Sequence, residues 1–439
     1  MPRLAALKGH LLGQTGRQGA SLAFAQAVTV VAGIGIGSLL ARGLGVEGYG
    51  RYLFALTVVQ VMMIPLDFGL PTLVMREVAV LRARGDWALL GGLLRWSIAF
   101  VAVIWALLAI GILGWIHLIE TEDLLYIFAV LLAGVWAYMR FAAAILRGME
   151  KVVWAALPDQ VIRPLTMLAA LTVVSLIGTL TPSRAMALHT LAATVGLFWA
   201  VWILHRRSGP ALVGQTGGVR YAPRVWFASL LPLGMEVGAG FLNARIDVLM
   251  LGFLTDSRAV GIYGLGLLIG GLARMPETVI KQIAAPRVAR YHAEGRTVEI
   301  RHLARLSAGA SVCAAMISLF GILLIGKPVV ALLAGPEFEP SVMVAAIVAS
   351  SSIVTGFWCL AATILNMTGH EKHTARISWS STIINALANL ALIPLLGALG
   401  AALATAVVTG ARQFAFETAA RNHAGMTSGL LRLTRRTLA

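Results

Sequence analysis

The sequence predicts an all-α polytopic membrane protein, with about twelve transmembrane helices in two six-helix lobes related by an axis along the membrane normal. Three observations carry that reading. Of the 439 residues 59% are hydrophobic and only 12% charged, at a mean hydropathy of +0.84, against about 25% charged residues in typical soluble domains. Apolar runs of about 20 residues, long enough to cross a hydrocarbon core of about 30 Å as helices, recur from end to end. Two pairs of segments also echo each other at a separation of six such runs.

Breaks at glycine, proline and charged clusters place the spans near 18–41, 52–79, 88–117, 122–147, 158–180, 184–205, 225–254, 259–283, 302–325, 338–367, 373–393 and 397–420. Before the first span, Arg3, Lys8, His10 and Arg17 are not followed by the short apolar core and cleavage site of a signal peptide, so the amino terminus is expected to stay on the protein. Span one contains "GIGIGS", 33–38, with no strand before it. It is not a dinucleotide fingerprint; Gly33 and Gly37 predict a small-residue face for close helix packing. The stretch "SLLARGLGVEGYGRYLF", 38–54, reads as the outer turn after span one, its glycines serving the reversal. Span two closes on "IPLDFGLP", where Pro65 and Pro71 free backbone carbonyls around Asp67. Trp87, Trp115, Tyr126 and Trp226, near span ends, predict interfacial anchors. The Gly-rich, basic stretch 205–224 reads as a linker between an N-terminal lobe, 1–204, and a C-terminal lobe, 225–439, that ends in a basic tail. In span seven Glu236 lies between Pro232, Gly234, Gly238 and Gly240, a composition that predicts a bending helix.

With the amino terminus inside, one set of alternate loops holds 25 of the 35 lysines and arginines and the other set only 5. That asymmetry predicts a multi-pass protein with both termini cytoplasmic, and it accounts for most of the net charge of +16. The basic residues are scattered between spans rather than gathered with aromatics in one patch, so no nucleic-acid partner is expected. Cys313 and Cys359 lie in apolar runs without CxxC spacing, and His370 and His373 sit in a basic loop and read as solvated. Neither a disulfide framework nor a metal site nor a cofactor is expected.

The internal echo pairs "RGLGVEGYGRYLFAL", 42–56, with "GFLTDSRAVGIYGLGLL", 252–268, matching Tyr49 to Tyr263. It also pairs "AAAILRGMEKVVWAALP", 142–158, with "AATILNMTGHEKHTARIS", 361–378, so that Glu150-Lys151 answers Glu371-Lys372. An even offset of six spans makes the halves enter the membrane in the same direction.

Those segments, with "DFGLPTLVMREVA", "RIDVLMLGFLTDSRAVGIYGLG", "LLAGPEFEPS" and "NALANLALIPLLGALGAALAT" in this order, make nearly the whole chain resemble the polysaccharide-biosynthesis flippases of the multidrug/oligosaccharidyl-lipid/polysaccharide exporter superfamily. The resemblance implies two six-helix lobes around a cavity that opens alternately to either side of a bacterial cytoplasmic (inner) membrane. It implies a substrate in which a sugar or oligosaccharide is joined through diphosphate to a polyprenol, flipped outward for assembly of cell-surface polysaccharide. Membrane lipids and glycan polymerase or glycosyltransferases are the partners it implies.

Placing Arg or Asp at a helix centre costs about 2.5 to 3.5 kcal/mol, so ionisable residues inside spans are candidate functional groups. Arg95 and Arg163 lie close enough to span ends to snorkel. A diphosphate needs fixed positive charge, which the planar arginine fork supplies. Arg245, Arg140 and Arg274 are therefore the diphosphate-binding candidates, with intramembrane ion pairing as the alternative. Arg245 and Asp247, two residues apart, cannot pair along their own helix. Glu236, Asp247 and Asp67 are the candidate coupling or cavity carboxylates. A cation-coupled small-molecule or drug exporter of the same superfamily would want carboxylates rather than arginines in the cavity. A membrane glycosyltransferase or polymerase would want placed acid and base residues on a sizeable outer loop, whereas "HLIETEDL" and "GPEFEPS" are the only acidic outer clusters. No catalytic residue is assigned.

Overall fold

The computed structural model of the protein describes residues 2–119, 123–208 and 218–429, with side chains from Ser21 onward except at a few positions, Glu236 among them. The described residues form helices and short connections, with no strand. In chain order the helices are α1 (Pro2–Asp67), α2 (Leu70–Arg84), α3 (Trp87–Ile119), α4 (Asp123–Gly148), α5 (Val152–Leu157), a π-helical turn (Pro158–Ile162), α6 (Arg163–Ile177), α7 (Pro182–Ser208), α8 (Pro223–Leu254) and α9 (Ser257–Gly271). A 3-10 turn (Leu272–Arg274) follows, then α10 (Met275–Ala293), α11 (Thr297–Leu333), a 3-10 turn (Pro336–Phe338), α12 (Ser341–Gly356), α13 (Ala361–Met367), α14 (Glu371–Leu396) and α15 (Ala398–His423).

Among the described residues nine helical stretches are long and apolar enough to cross a membrane, and two bent stretches, α8 and the α12–α13 pair, bring the number to eleven. One stretch, Phe24–Arg84, has 61 residues. At about 1.5 Å per residue it would run roughly three times the thickness of a hydrocarbon core. Its backbone leaves helical space at Gly45 (φ 66°, ψ 178°), which divides it into two crossings and yields the predicted twelve. The outer turn expected over 38–54 is thus a single-residue kink in an otherwise helical segment. Only Gly45 has to depart from helical dihedrals, so the chain resumes its helix at once. Val103, Leu107 and Ile110 on α3, and Phe320, Leu323 and Leu324 on α11, are each more than half exposed. Contiguous apolar surface of this kind suits lipid rather than water.

Contacts divide the chain into two compact units: Met1–Leu44 with Ala55–Phe241, and Gly45–Phe54 with Leu242–Ala439. In the first, α4 packs against α2, α3 and α7, and α6 lies on α7. In the second, α12 packs against α9, α11 and α15, and α14 lies on α15. Counted by crossings, the fourth of each half is the hub for the second, third and sixth, and the fifth leans on the sixth. The sequence echo therefore extends to packing. It extends to the caps as well: the Lys151 N–H donates to the Leu146 carbonyl (2.9 Å) and the His370 N–H to the Leu365 carbonyl (2.8 Å). The residue before each donor is left-handed, Glu150 in one copy (φ 62°) and Gly369 in the other (φ 82°).

The other pair of echoing segments meets directly inside the second unit. A Cβ on Gly261 would fall 2.2 Å from the Val46 carbonyl oxygen, and one on Gly50 would fall 1.7 Å from that of Ser257. Tyr49 is buried edge-on to Phe338 (5.7 Å between centroids) and Phe54 edge-on to Phe253 (5.4 Å). These glycines serve backbone contact between helices rather than a chain reversal. Of the two glycines expected to form a close face in span one, Gly37 is buried while a Cβ at Gly33 meets open space; between them a Cβ at Gly35 would approach Leu168 Cδ1 at 3.1 Å. Trp226 is no interfacial anchor but a buried residue packed on Trp96, with ring centroids 5.4 Å apart.

Of the expected linker, 209–217 lies outside the described residues. The strand of chain that follows is fastened to the start of α3. The Arg220 N–H donates to the Ala88 carbonyl (3.1 Å), and the Arg220 guanidinium donates to Asp86, whose other oxygen accepts the Leu89 N–H (3.2 Å). The Arg220 hydrogen bond holds the Asp86 carboxyl below the usual carboxylate range. A lowered native pKa means that this fastening is fully present above the ordinary carboxylate pKa and is lost only as pH falls through the lowered value. Hydrogen exchange of the Arg220 amide, corrected for the intrinsic pH dependence of the rate, should stay slow from neutral pH down through the ordinary carboxylate range and quicken below it. In Asp86→Asn it should be fast throughout.

Candidate functional site

In the first unit the site begins where span two breaks. α1 ends at Asp67, Phe68 and Gly69 take positive φ (28° and 77°), and Pro71 starts α2. The break is clamped by α8: a Cβ on Gly69 would lie 2.4 Å from Leu233 Cβ, and the Phe68 ring covers Gly234. Asp67 is 2% exposed and lies 3.0 Å from Arg140 Nη2. The approach is off the hydrogen-bonding direction, so charge holds the pair rather than an aligned hydrogen bond. Arg140 also stacks over Phe241, 5.4 Å from its centroid. The sequence placed Asp67 and Arg140 in different candidate roles; the structure makes them partners.

Two turns beyond Arg140 on α4, Arg147 reaches the same region, where α5 passes into the π-helical turn. A cavity of about 320 Å³ opens there, lined by Arg140, Arg147, Asp159 and Gln160 with apolar residues of α1, α4 and α5. The extra residue of a π turn shifts the side chains that follow it. Here it directs Asp159 to Arg163 (2.9 Å), while the Gln160 carbonyl accepts from Thr29 Oγ1 (2.7 Å). Arg163 does not snorkel. It is held by Asp159, by buried His189 (3.0 Å) and over the Trp136 ring (4.8 Å). Because guanidinium only donates, His189 Nε2 accepts and its proton sits on Nδ1.

In the second unit Asp247 is buried, accepts a hydrogen bond from the Tyr263 hydroxyl, and accepts the Val248 N–H (2.8 Å). Thr405 and Arg274 lie within electrostatic reach of Tyr263. Arg245 stands beside this group, half-buried on α8, with no carboxylate within salt-bridge distance among the described residues. Arg274, on the 3-10 turn between α9 and α10, donates to Ser351 Oγ (3.1 Å). One turn on, buried Glu277 binds Lys281 (2.5 Å) and Thr355 (2.8 Å). Arg412 of α15 is in electrostatic reach of both Arg274 and Glu277. The Glu236 side chain lies outside the described residues.

The structure thus brings Arg245, Asp247, Tyr263 and Arg274 into one neighbourhood and Arg140 and Asp67 into another. Asp67 and Arg140 meet where the second crossing of the first half breaks beside its fourth, and Arg274 meets Ser351 at the corresponding place in the second half. Chemically, Arg245 and Arg274 offer guanidinium groups with no carboxylate at salt-bridge distance among the described residues, an arrangement that suits an anion, whereas Arg140 is offset by Asp67.

Comparison with known proteins places the chain. The profile of the polysaccharide biosynthesis protein family matches residues 15–292. The chain belongs to that family. Among its relatives is the "Probable flippase AglR" of Haloferax volcanii, 29% identical over 165 residues, which is 36% of this chain and 34% of the relative. The matched stretch therefore spans about a third of that protein's length. A multidrug resistance MATE family transporter of the MOP superfamily in an inward-facing conformation shares the fold, with a TM-score of 0.74 at 13% identity, covering 88% of this chain and 92% of that one. The lipid II flippase MurJ shares it too, at 0.68 and 12% identity, covering 91% and 87%.

Sequence reading missed Arg147, Arg412 and Glu277 in this family member: Arg147 and Arg412 are among the 25 basic residues counted above for the inside loops, and Glu277 was not among the candidate carboxylates. Their signal was helical spacing: Arg147 lies seven residues after Arg140, and Glu277 lies four residues before Lys281. His370 and His373 are not simply solvated either. His423 stacks on His373, with ring centroids 3.8 Å apart, and joins the start of α14 to the end of α15.

Proposed function

We propose that this family member flips a polyprenyl-diphosphate-linked sugar or oligosaccharide from the inner to the outer leaflet by alternating access, for assembly of cell-surface polysaccharide. The observation that carries the reading is Arg245, a half-buried arginine within a span whose neighbouring carboxylate, Asp247, is occupied by Tyr263. A cation kept inside a membrane without a counter-charge in contact calls for an anionic ligand. The family match and the relative described as a flippase support the same conclusion. In this reading Arg245, Arg140 and Arg274 contact the diphosphate, and lobes 1–204 and 225–439 are joined by the linker 205–224. Both termini face the cytoplasm of a bacterial inner membrane. Transfer of about two negative charges outward is favoured by an inside-negative potential, by about 4 to 5 kcal/mol at 100 mV. The proposal is transport, with glycosyltransferases or a polymerase as neighbouring partners.

A cation-coupled exporter would use Asp67, Asp247 or Glu236 as its titrating group. Asp67 and Asp247 each already hold a protein partner, which weighs against a free coupling site. Arg245→Ala should fold normally, because no ion pair among the described residues is broken, yet cause lipid-linked sugar to accumulate on the cytoplasmic leaflet. Normal surface glycan in a strain whose only copy is Arg245→Ala would remove Arg245 from the site.

A further inference from the structure

The chain does not leave α15 freely. The helix ends at His423, Gly425 turns the backbone (φ 65°), and residues 424–429 fold back over the end of the second unit. The Met426 N–H donates to the Ala420 carbonyl (3.3 Å), and the Ser428 N–H donates to both oxygens of buried Glu417 (3.1 and 3.0 Å). The Ser428 hydroxyl donates to the same carboxylate. Between these anchors Met426, 4% exposed, is inserted among Ala284 and Val288 of α10, Ile300 and Ala304 of α11, and Leu360 and Ile364 at α13. This short strap thus ties the ends of α10, α11 and α13 to α15.

Its root carries three histidines. His423 stacks on His373 of α14 (3.8 Å between centroids, 22° between planes), and His370 lies 6.3 Å from His373 and 6.2 Å from His423. Thr368 Oγ1 meets His370 Nδ1 at 3.0 Å. Arg376, one turn along α14, is in electrostatic reach of His373, Glu371 and Lys372 beside it are exposed, and Arg421 of α15 is in reach of Glu417. No carboxylate lies within salt-bridge distance of the three rings among the described residues. Neutral imidazoles stack at this spacing, whereas two charged ones repel, and Arg376 adds to the repulsion. The stacked state therefore binds fewer protons than a separated one. It is favoured above the ordinary imidazole value of about 6.5 and is lost as pH falls below it. His423 is exposed, so protons reach the cluster directly. In the orientation predicted by the charge asymmetry, this end faces the cytoplasm.

We propose that residues 424–429 form an acid-released strap, held down at neutral pH by the His373–His423 stack and freed when the histidines charge, so that the ends of α10, α11, α13 and α15 can part. The device is independent of what is transported.

Hydrogen exchange of the full chain in nanodiscs, expressed as protection relative to the intrinsic rate at each pH, reads the Met426 and Ser428 amides directly. Their protection should fall about tenfold from about one pH unit above the imidazole value to about one unit below it, while α4 in the first unit stays protected. His373→Gln and His423→Gln, neutral at every pH, should each remove most of that fall. Glu417→Gln, which replaces one accepting oxygen with a donor, should lower protection at both pH values and keep the fall. No fall in the wild type, an undiminished fall in both histidine variants, or an equal loss across α4 would overturn the proposal. So would disappearance of the fall in Glu417→Gln with its persistence in the histidine variants, which would make the carboxylate the sensor.

Discussion

Gly261→Leu should leave almost no folded protein in the membrane. The Cβ alone would sit 2.2 Å from the Val46 carbonyl and 3.3 Å from the Gly50 nitrogen, both backbone atoms of a helical segment. A clash with a flexible side chain is relieved by a rotamer change, but here a whole helix must retreat. Overpacking costs about 1 to 3 kcal/mol where side chains can yield, and more where they cannot. The retreat would also strip Tyr49 from Phe338 and Phe54 from Phe253. Gly309→Ala is the control, since a Cβ there meets open space and alanine favours helix by up to about 1 kcal/mol. Size-exclusion profiles and melting curves of the detergent-solubilised proteins decide the matter. A monodisperse Gly261→Leu protein melting with the wild type would refute the backbone contact.

The second large effect lies at the broken span. Removing one partner of a buried ion pair costs about 3 to 5 kcal/mol, because the other is left without its counter-charge. The two single substitutions should nevertheless differ. Arg140 is 32% exposed at its side chain and can turn its guanidinium toward water, whereas Asp67, 3% exposed at its side chain, is enclosed by the clamp around Gly69. Arg140→Ala should therefore lower the melting temperature more than Asp67→Ala. Asp67→Ala with Arg140→Ala should recover much of the loss, and that double variant separates a role in folding from one in transport. Equal melting of all four proteins would show that the contact contributes nothing to stability.

The crossings were legible because hydrocarbon thickness sets a run length that composition alone reveals, and the repeat because duplication leaves similar strings at a fixed offset. Gly45 was legible as a break but not as a mere kink, since a turn and a one-residue kink use the same residue type. Asp67 and Arg140 are 73 residues apart, so no local spacing announces their contact. Arg147 and Arg412 near span ends satisfy the positive-inside pattern whether they face water or a helix neighbour, and only packing separates those cases. The π turn has no clear string of its own; Pro158 and Pro164 flank it, and prolines occur equally at ordinary helix starts.

Residues 45–54 have a last consequence. They are encoded in the first half of the chain yet packed into the interior of the second unit, beneath their own duplicate. A gene cut at the linker would give a second fragment missing ten residues of its own interior, and a first fragment carrying an unsheltered glycine face. Neither piece could be exchanged for the matching piece of a distant relative without mending that seam. The two repeats are therefore not separable modules: ten residues written into the first are part of the interior built around the second.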